Sequence, residues 1–225
     1  MICKNTNSKQ NKKYSRLTIH VSRTYIHNMN YLAHAHLSFH HPEILLGNMI
    51  SDFVKGKKQF EYPDTVQKGI RLHRAIDTFT DQHPVTKQAK EFFKPAVGAY
   101  AGAYMDIVYD HFLALDNNEF SKDGLQEFSL EVYSQLAENG ILFPEKFARM
   151  FSYMRSQNWL YNYRFTAGME KSFGGLVMRA RYLEGYGEAF VLFTEHYNEL
   201  GGYYHDFFPE LKQFAFSQFE ILLTQ

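Results

Sequence analysis

The chain has 225 residues, with 24 basic and 24 acidic side chains and a formal net charge of zero. Its hydrophobic fraction of 45% excludes a disordered composition, and its balanced charge gives no indication of nucleic-acid binding. No apolar run approaches the roughly 18 residues of a membrane span, and the lone Cys3 excludes an intramolecular disulfide framework, so we expect a cytoplasmic protein without a transmembrane helix.

Residues 1–28 differ in composition from the rest of the chain. They contain six basic residues and no acid, so residues 29–225 carry a net charge of −6. The stretch lacks the apolar run of a signal peptide, although a mitochondrial-type presequence is one interpretation. We favour a disordered extension or a start codon placed too early, because Met29 begins a more structured pattern.

From residue 29 onward, apolar residues recur every three to four positions with almost no strict alternation, which predicts an all-α fold. We expect residues 55–63 to form a loop and Ser121 to cap a helix. The chain has no internal repeat and no Pro/Ser-rich linker, so we expect a single helical domain over 29–225. The predicted helices, in chain order, cover about 42–54, 63–82, 85–94, 97–115, 121–138 and 144–157, much of 165–200, and about 209–223.

Histidines and polar residues are frequent in the first structured segment, residues 30–53, which reads NYLAHAHLSFHHPEILLGNMISDF. His34 and His36 would share a face in an extended segment but not in a helix. Asn48 and Asp52 are four residues apart and follow a glycine, which permits another backbone to approach closely. We expect one or two of these histidines to be structural.

The second candidate segment is residues 69–83, which reads GIRLHRAIDTFTDQH. One row along the predicted helix begins with apolar residues and ends with His73, Asp77 and Asp81, so His73 and Asp77 continue a face directed into the core. A histidine and an aspartate four residues apart can converge on one metal ion. The alternative is an ion pair between Asp77 and Arg74 beside a hydrogen-bonded His73.

The third candidate segment is residues 103–115, which reads AYMDIVYDHFLAL. Asp106 and Asp110 lie opposite an apolar stripe, and His111 flanks them. Residues 96–120 contain no Lys or Arg, so these carboxylates require a distant arginine or a metal if they are buried. The alternative is a solvated acidic face. The chain lacks a Walker loop, an H-E-x-x-H motif, a G-x-S-x-G elbow and the Glu-x-x-His signature of di-iron bundles.

Several sequence blocks together resemble one known family. The blocks MNYLAHAHLS, GNMISDFVKG, GIRLHRAIDTFTDQHP and MDIVYDHFLA occur in this order, followed by MRSQNWLYNY and HYNELGGYYHDFFPELKQF. They closely resemble the acyl carrier protein phosphodiesterase family from Met29 to the end of the chain. The resemblance implies an all-helical fold distantly related to the HD-type metal-dependent phosphohydrolases, whose ligands follow a His…His-Asp…Asp arrangement. Here the adjacent pair runs Asp110-His111 instead.

The same resemblance implies an activity. Members hydrolyse the phosphodiester that joins 4′-phosphopantetheine to a serine of holo-acyl carrier protein, and they require a divalent cation, for which Mn²⁺ is the usual expectation and Mg²⁺ the alternative. Asp52 is the candidate ligand or water-activating base, Arg74 the candidate phosphate clamp, and Asp106 a further ligand or a hydrogen-bond partner of one. The expected metal ligands are His73, Asp77, Asp110 and His111. Less secure supporting residues are His34, His36, Asn48, Arg71 and Asp81.

The expected partner is holo-acyl carrier protein, a small and strongly acidic protein, which requires a local basic surface. Two other functions stay open: an HD-type phosphohydrolase acting on a nucleotide or another small phosphodiester, and a non-enzymatic helical module that binds a carrier protein. Basic residues near the predicted site that could dock the partner are Lys55, Lys57, Lys58 and Arg71. A second group of basic residues consists of Arg149, Arg155, Arg164, Arg179 and Arg181.

Overall fold

The structure, a computed structural model, describes residues 31–121, 123–180 and 182–225. These residues form twelve α-helices and no β-strand, which confirms the predicted all-α fold in a single helical domain. The basic segment 1–28 lies outside the described residues. The helices are α1 Tyr31–His36, α2 Pro42–Ile50, α3 Asp64–Gln82, α4 Pro84–Lys90, α5 Lys94–Val97, α6 Ala101–Leu115, α7 Gly124–Glu138, α8 Glu145–Ser156, α9 Trp159–Asn162, α10 Thr166–Arg179, α11 Gly187–Glu195 and α12 Tyr197–Thr224.

Most helix boundaries follow local sequence signals, but some differ from the prediction. Helix α6 begins at Ala101 rather than near residue 97, because Gly98 adopts a φ of 55° and ends the preceding turn. The predicted loop contains a 3₁₀ helix over Gly56–Glu61. Ser121 does not cap a helix, since α7 begins three residues later at Gly124.

Helix α12 is far longer than the C-terminal helix predicted from about residue 209. It spans 28 residues and passes through Pro209, which cannot donate the usual backbone hydrogen bond. A continuous buried face compensates for the lost bond, and its members include Leu200, Tyr204, Phe207, Phe208 and Leu211. Within the described part of the chain, no helix is both long and apolar enough to cross a lipid bilayer.

Helices α2 and α3 pack with their backbones in close contact. They cross at Gly47 and Gly69, where neither helix has a side chain to separate the two backbones. A Cβ atom added at Gly47 would lie 2.1 Å from the carbonyl oxygen of Val66, and one added at Gly69 would lie 2.3 Å from that of Ile44. The segment that follows α2 therefore runs beside α3, where Asp52 Oδ1 lies 3.6 Å from His73 Nε2.

Other helices pack around α2 and α3. Helix α1 packs on α2 and α6, and the long helix α12 crosses α3, α4 and α6. Large aromatic side chains fill the core beside α6. The ring centroids of Tyr104 and Phe173 are 4.6 Å apart, and those of Tyr104 and Phe93 are 5.9 Å apart. These contacts pack α6 against α10 and against the residue that precedes α5.

Replacing Gly69 with alanine should destabilise the protein by about 2 kcal/mol or more, because the new methyl group would overlap the backbone of α2. Gly202→Ala is the matched control in a helix: no atom lies within 4 Å of the added Cβ, so stability should be unchanged or slightly higher. Urea denaturation followed by circular dichroism measures both variants. Equal stability of the two would contradict the close crossing.

Candidate active site

Imidazole and carboxylate groups from two helices converge at one point. The Nε2 atoms of His34 on α1 and His73 on α3 lie 3.2 and 3.3 Å from the two carboxylate oxygens of Asp77, one turn further along α3. The two imidazole rings stack with centroids 3.9 Å apart. Each residue offers a ligand atom, and these three atoms lie within 4.8 Å of one another. Asp52 adds a fourth group, with Oδ1 3.6 Å from His73 Nε2.

Side chains from two other helices hold the short helix that carries His34. Asp110 on α6 accepts hydrogen bonds from the backbone N–H groups of Leu32 and Ala33, at 2.9 and 2.8 Å. These first-turn amides have no partner within their own helix. Asn48 on α2 donates its side-chain amide to the carbonyl oxygen of His34 at 2.8 Å. Asp110 and Asn48 therefore fix the backbone from which the His34 imidazole projects.

The converging polar atoms have no hydrogen-bond partner in the part of the chain that the structure describes. Both ring nitrogens of His34, both of His73, and Oδ1 of Asp77 are buried without one. The atoms lie within ion-pair distance, but their angles do not satisfy hydrogen-bond geometry. Buried polar groups are costly unless another group binds them, so these atoms form a favourable site for a bound ligand. A cation between the three residues would be such a ligand.

The pKa values of these residues depend strongly on one another. Burial lowers the pKa of His34, and the neighbouring His73 lowers it further. Burial opposes the charge on His73 as well, but Asp77 and Asp52 outweigh it and raise the pKa of His73. Burial would likewise raise the pKa of Asp77, yet His73 and His34 hold it well below its usual range. A positive charge on the imidazole of His73 and the negative charge on Asp77 favour each other, and a divalent cation would favour the carboxylate in the same way.

The cluster opens into a pocket of about 970 Å³ whose lining includes Asp52, His73, Asp77 and Asp106. Asp106 on α6 is 5% exposed and makes no hydrogen bond to any residue of the described chain. Burial and the negative charge of Asp77 raise the pKa of Asp106. Such a carboxylate needs a nearby positive charge to ionise. Lys90 and Asp81 also line the pocket, and Lys90 Nζ donates to Asp81 Oδ1 at 2.7 Å.

The two arginines of the predicted site have different surroundings. Arg74 lines the pocket, where it donates to Gln59 Oε1 at 2.6 Å and to the carbonyl oxygen of Val54 at 3.2 Å. It makes no ion pair with Asp77 in the described structure, which removes the structural alternative considered for that pair. Arg71 is exposed on α3 and does not line the pocket.

The structure does not bring His36, Asp110 or His111 to the cluster. Residues 31–36 are helical, so His36 points away from His34 and lies 2.7 Å from Glu119 through Nε2. Burial lowers the pKa of His111, whose Nδ1 donates to the carbonyl of Tyr163 at 2.6 Å and whose Nε2 accepts from Tyr197 at 2.8 Å. Asp110 caps α1 as described above. The candidate metal cluster among the described residues is therefore His34, His73 and Asp77, and it includes neither Asp110 nor His111.

Fold and site together define an all-α protein with a candidate divalent-metal centre in an open pocket. Residues 29–211 match the family model described as acyl carrier protein phosphodiesterase. A protein of that name from Photorhabdus laumondii is 32% identical over 188 residues, which cover 83% of this chain and 95% of that protein. One from Escherichia coli O6:H1 is 31% identical over 188 residues, or 83% and 97% of the two chains.

This chain therefore belongs to the acyl carrier protein phosphodiesterase family, as the sequence blocks predicted. No solved structure matches it. The distant relation to HD-type phosphohydrolases stays a prediction.

Asp110→Leu should destabilise the protein by about 2 kcal/mol or more, because it leaves two buried amides of α1 without an acceptor. Asp110→Asn keeps one acceptor oxygen, so it should be less destabilising and should retain Mn²⁺ binding within about tenfold. Urea denaturation and calorimetric titration with Mn²⁺ measure the two effects. Complete loss of Mn²⁺ binding by a folded Asp110→Asn variant would show instead that Asp110 is a ligand.

Proposed function

We propose that this protein is a metal-dependent phosphodiesterase that hydrolyses the bond between 4′-phosphopantetheine and a serine of holo-acyl carrier protein. The products are apo-acyl carrier protein and free 4′-phosphopantetheine. Family membership and the names of the relatives support the substrate. The observation that carries the chemistry is the buried cluster of His34, His73 and Asp77, whose unpaired donor atoms face one another beside an open pocket.

The donor set fits a divalent cation. His34, His73 and Asp77 would hold it, with Asp52 and Asp106 as further oxygen donors at the pocket wall. Two imidazoles together with carboxylates suit Mn²⁺, whereas Mg²⁺ prefers an all-oxygen environment. Three protein ligands leave positions open for water and substrate, as in other catalytic metal sites.

The bound cation would supply a water nucleophile of lowered pKa and would neutralise charge on the phosphoryl oxygens. Asp52 is half-buried at the pocket wall, and in this proposal it would accept a proton from the attacking water. Arg74 donates one hydrogen bond to Gln59 and one to Val54. Its other N–H groups would bind a phosphoryl oxygen. The exposed pocket admits a phosphodiester that is still attached to a protein surface.

The proposal is tested by incubating the purified protein with holo-acyl carrier protein and Mn²⁺ and weighing the carrier by mass spectrometry. We expect the carrier to lose the phosphopantetheinyl group, and a chelator to stop the reaction. A protein that hydrolyses a nucleotide or small phosphodiester but leaves the carrier intact would be a different phosphohydrolase. A protein that binds the carrier without metal or turnover would be a non-enzymatic module.

His73→Ala or Asp77→Ala should lower kcat/KM by about a thousandfold or more and should weaken Mn²⁺ binding, because each removes a predicted ligand. His40→Ala is the matched control, since this histidine is 69% exposed and lies outside the pocket lining. Steady-state kinetics and Mn²⁺ titration measure the effects. Normal turnover by a folded Asp77→Ala variant would exclude this metal centre.

A further inference from the structure

A cationic segment borders the pocket that contains the metal cluster. Residues 55–61 include Lys55, Lys57 and Lys58, all exposed, and a single acid, Glu61. Lys55 and Lys57 line the pocket itself. Lys57 and Lys58 form no ion pair with any described residue. The segment therefore presents positive charge that the rest of the described structure does not neutralise.

An aromatic ring accompanies these lysines. Phe60 lies in the same segment, lines the pocket and is 65% exposed. A large aromatic side chain exposed beside unpaired cations differs from an ordinary solvated face, which mixes charges of both signs. Exposed aromatic residues next to basic ones are typical of protein-binding surfaces, where the ring anchors the partner and the charges guide it.

The segment is fixed relative to the metal cluster. Arg74, which follows His73 on α3, donates to Gln59 within the segment at 2.6 Å and to Val54 just before it at 3.2 Å. At the other end, Gln67 donates to the carbonyl of Tyr62 at 2.9 Å. A partner bound to residues 55–61 would therefore lie at a defined distance from the metal ligands.

The distribution of charge limits what this segment can bind. The cationic segment spans only seven residues, a small area compared with the extended basic surface that nucleic acid or an anionic membrane requires. Two other lysines of the pocket are already paired, Lys90 with Asp81 and Lys94 with Glu91. Lys57 and Lys58 adjoin each other beside the pocket, and two adjacent lysines suit a compact acidic patch on a protein.

We propose that residues 55–61 dock an acidic surface of the carrier protein next to its modified serine. Lys57 and Lys58 pair with carboxylates of the carrier, and Phe60 packs against an apolar side chain between them. Docking in this position presents the phosphodiester to His73, Asp77 and Asp52. This inference rests on the proposed function, and it explains how a protein with a negatively charged body receives an acidic substrate.

The test measures binding of fluorescently labelled apo-acyl carrier protein, which requires no turnover, by anisotropy at low and high salt. Lys57→Glu combined with Lys58→Glu should weaken binding at least tenfold at low salt, and the difference should shrink at high salt. Lys146→Glu combined with Lys171→Glu changes the net charge equally on exposed sites outside the pocket, and binding should stay within twofold. Phe60→Ala should weaken binding at both salt concentrations.

The outcomes separate this inference from the proposed function. Equal binding by the two double variants would overturn the docking site, even where the carrier still loses its phosphopantetheinyl group. Weakened binding by the Lys57 and Lys58 variant, in a protein that leaves the holo-carrier intact, would support the docking site and overturn the hydrolysis. Anionic vesicles or single-stranded nucleic acid that bind as tightly as the carrier, with the same sensitivity, would overturn the carrier as the occupant.

Discussion

The candidate site depends on one constraint: two imidazoles and a carboxylate are held close together although they do not satisfy one another's hydrogen-bonding groups. The ring nitrogens of His34 and His73 lie close to the carboxylate of Asp77, yet these nitrogens and Asp77 Oδ1 have no hydrogen-bond partner in the described part of the chain. Such a cluster costs free energy unless a cation completes it. Two surrounding features keep the cluster assembled: the glycine crossing of α2 with α3, and the Asp110 cap that fixes α1.

Local sequence patterns predicted the part of this arrangement that lies within one helix. The bounds of α3 follow from Pro63 and Pro84, and the spacing of His73 and Asp77 predicts their convergence because both lie on the same helix. The all-α fold could also be predicted from the sequence, because the helical spacing of apolar residues extends over most of the chain.

Local sequence patterns did not predict how α1 and α6 contribute to the candidate site. The sequence identifies His34 only as a supporting residue, because nothing in the local pattern relates it to His73. The structure shows that 31–36 are helical, so His34 and His36 point in different directions. Asp110 resembled a ligand because its neighbourhood in sequence lacks cations. Its partners are backbone amides 77 and 78 residues away, and no local pattern identifies them. A carboxylate that caps a distant helix and one that binds a metal have the same sequence signature.

A single measurement tests the central claim most directly: anomalous X-ray diffraction from crystals of the protein grown with Mn²⁺. We expect one strong anomalous peak at about 2.0–2.3 Å from Nε2 of His34, Nε2 of His73 and a carboxylate oxygen of Asp77. A peak at Asp110 and His111 instead, or none near α1 and α3 in crystals of protein whose activity requires Mn²⁺, would contradict the account.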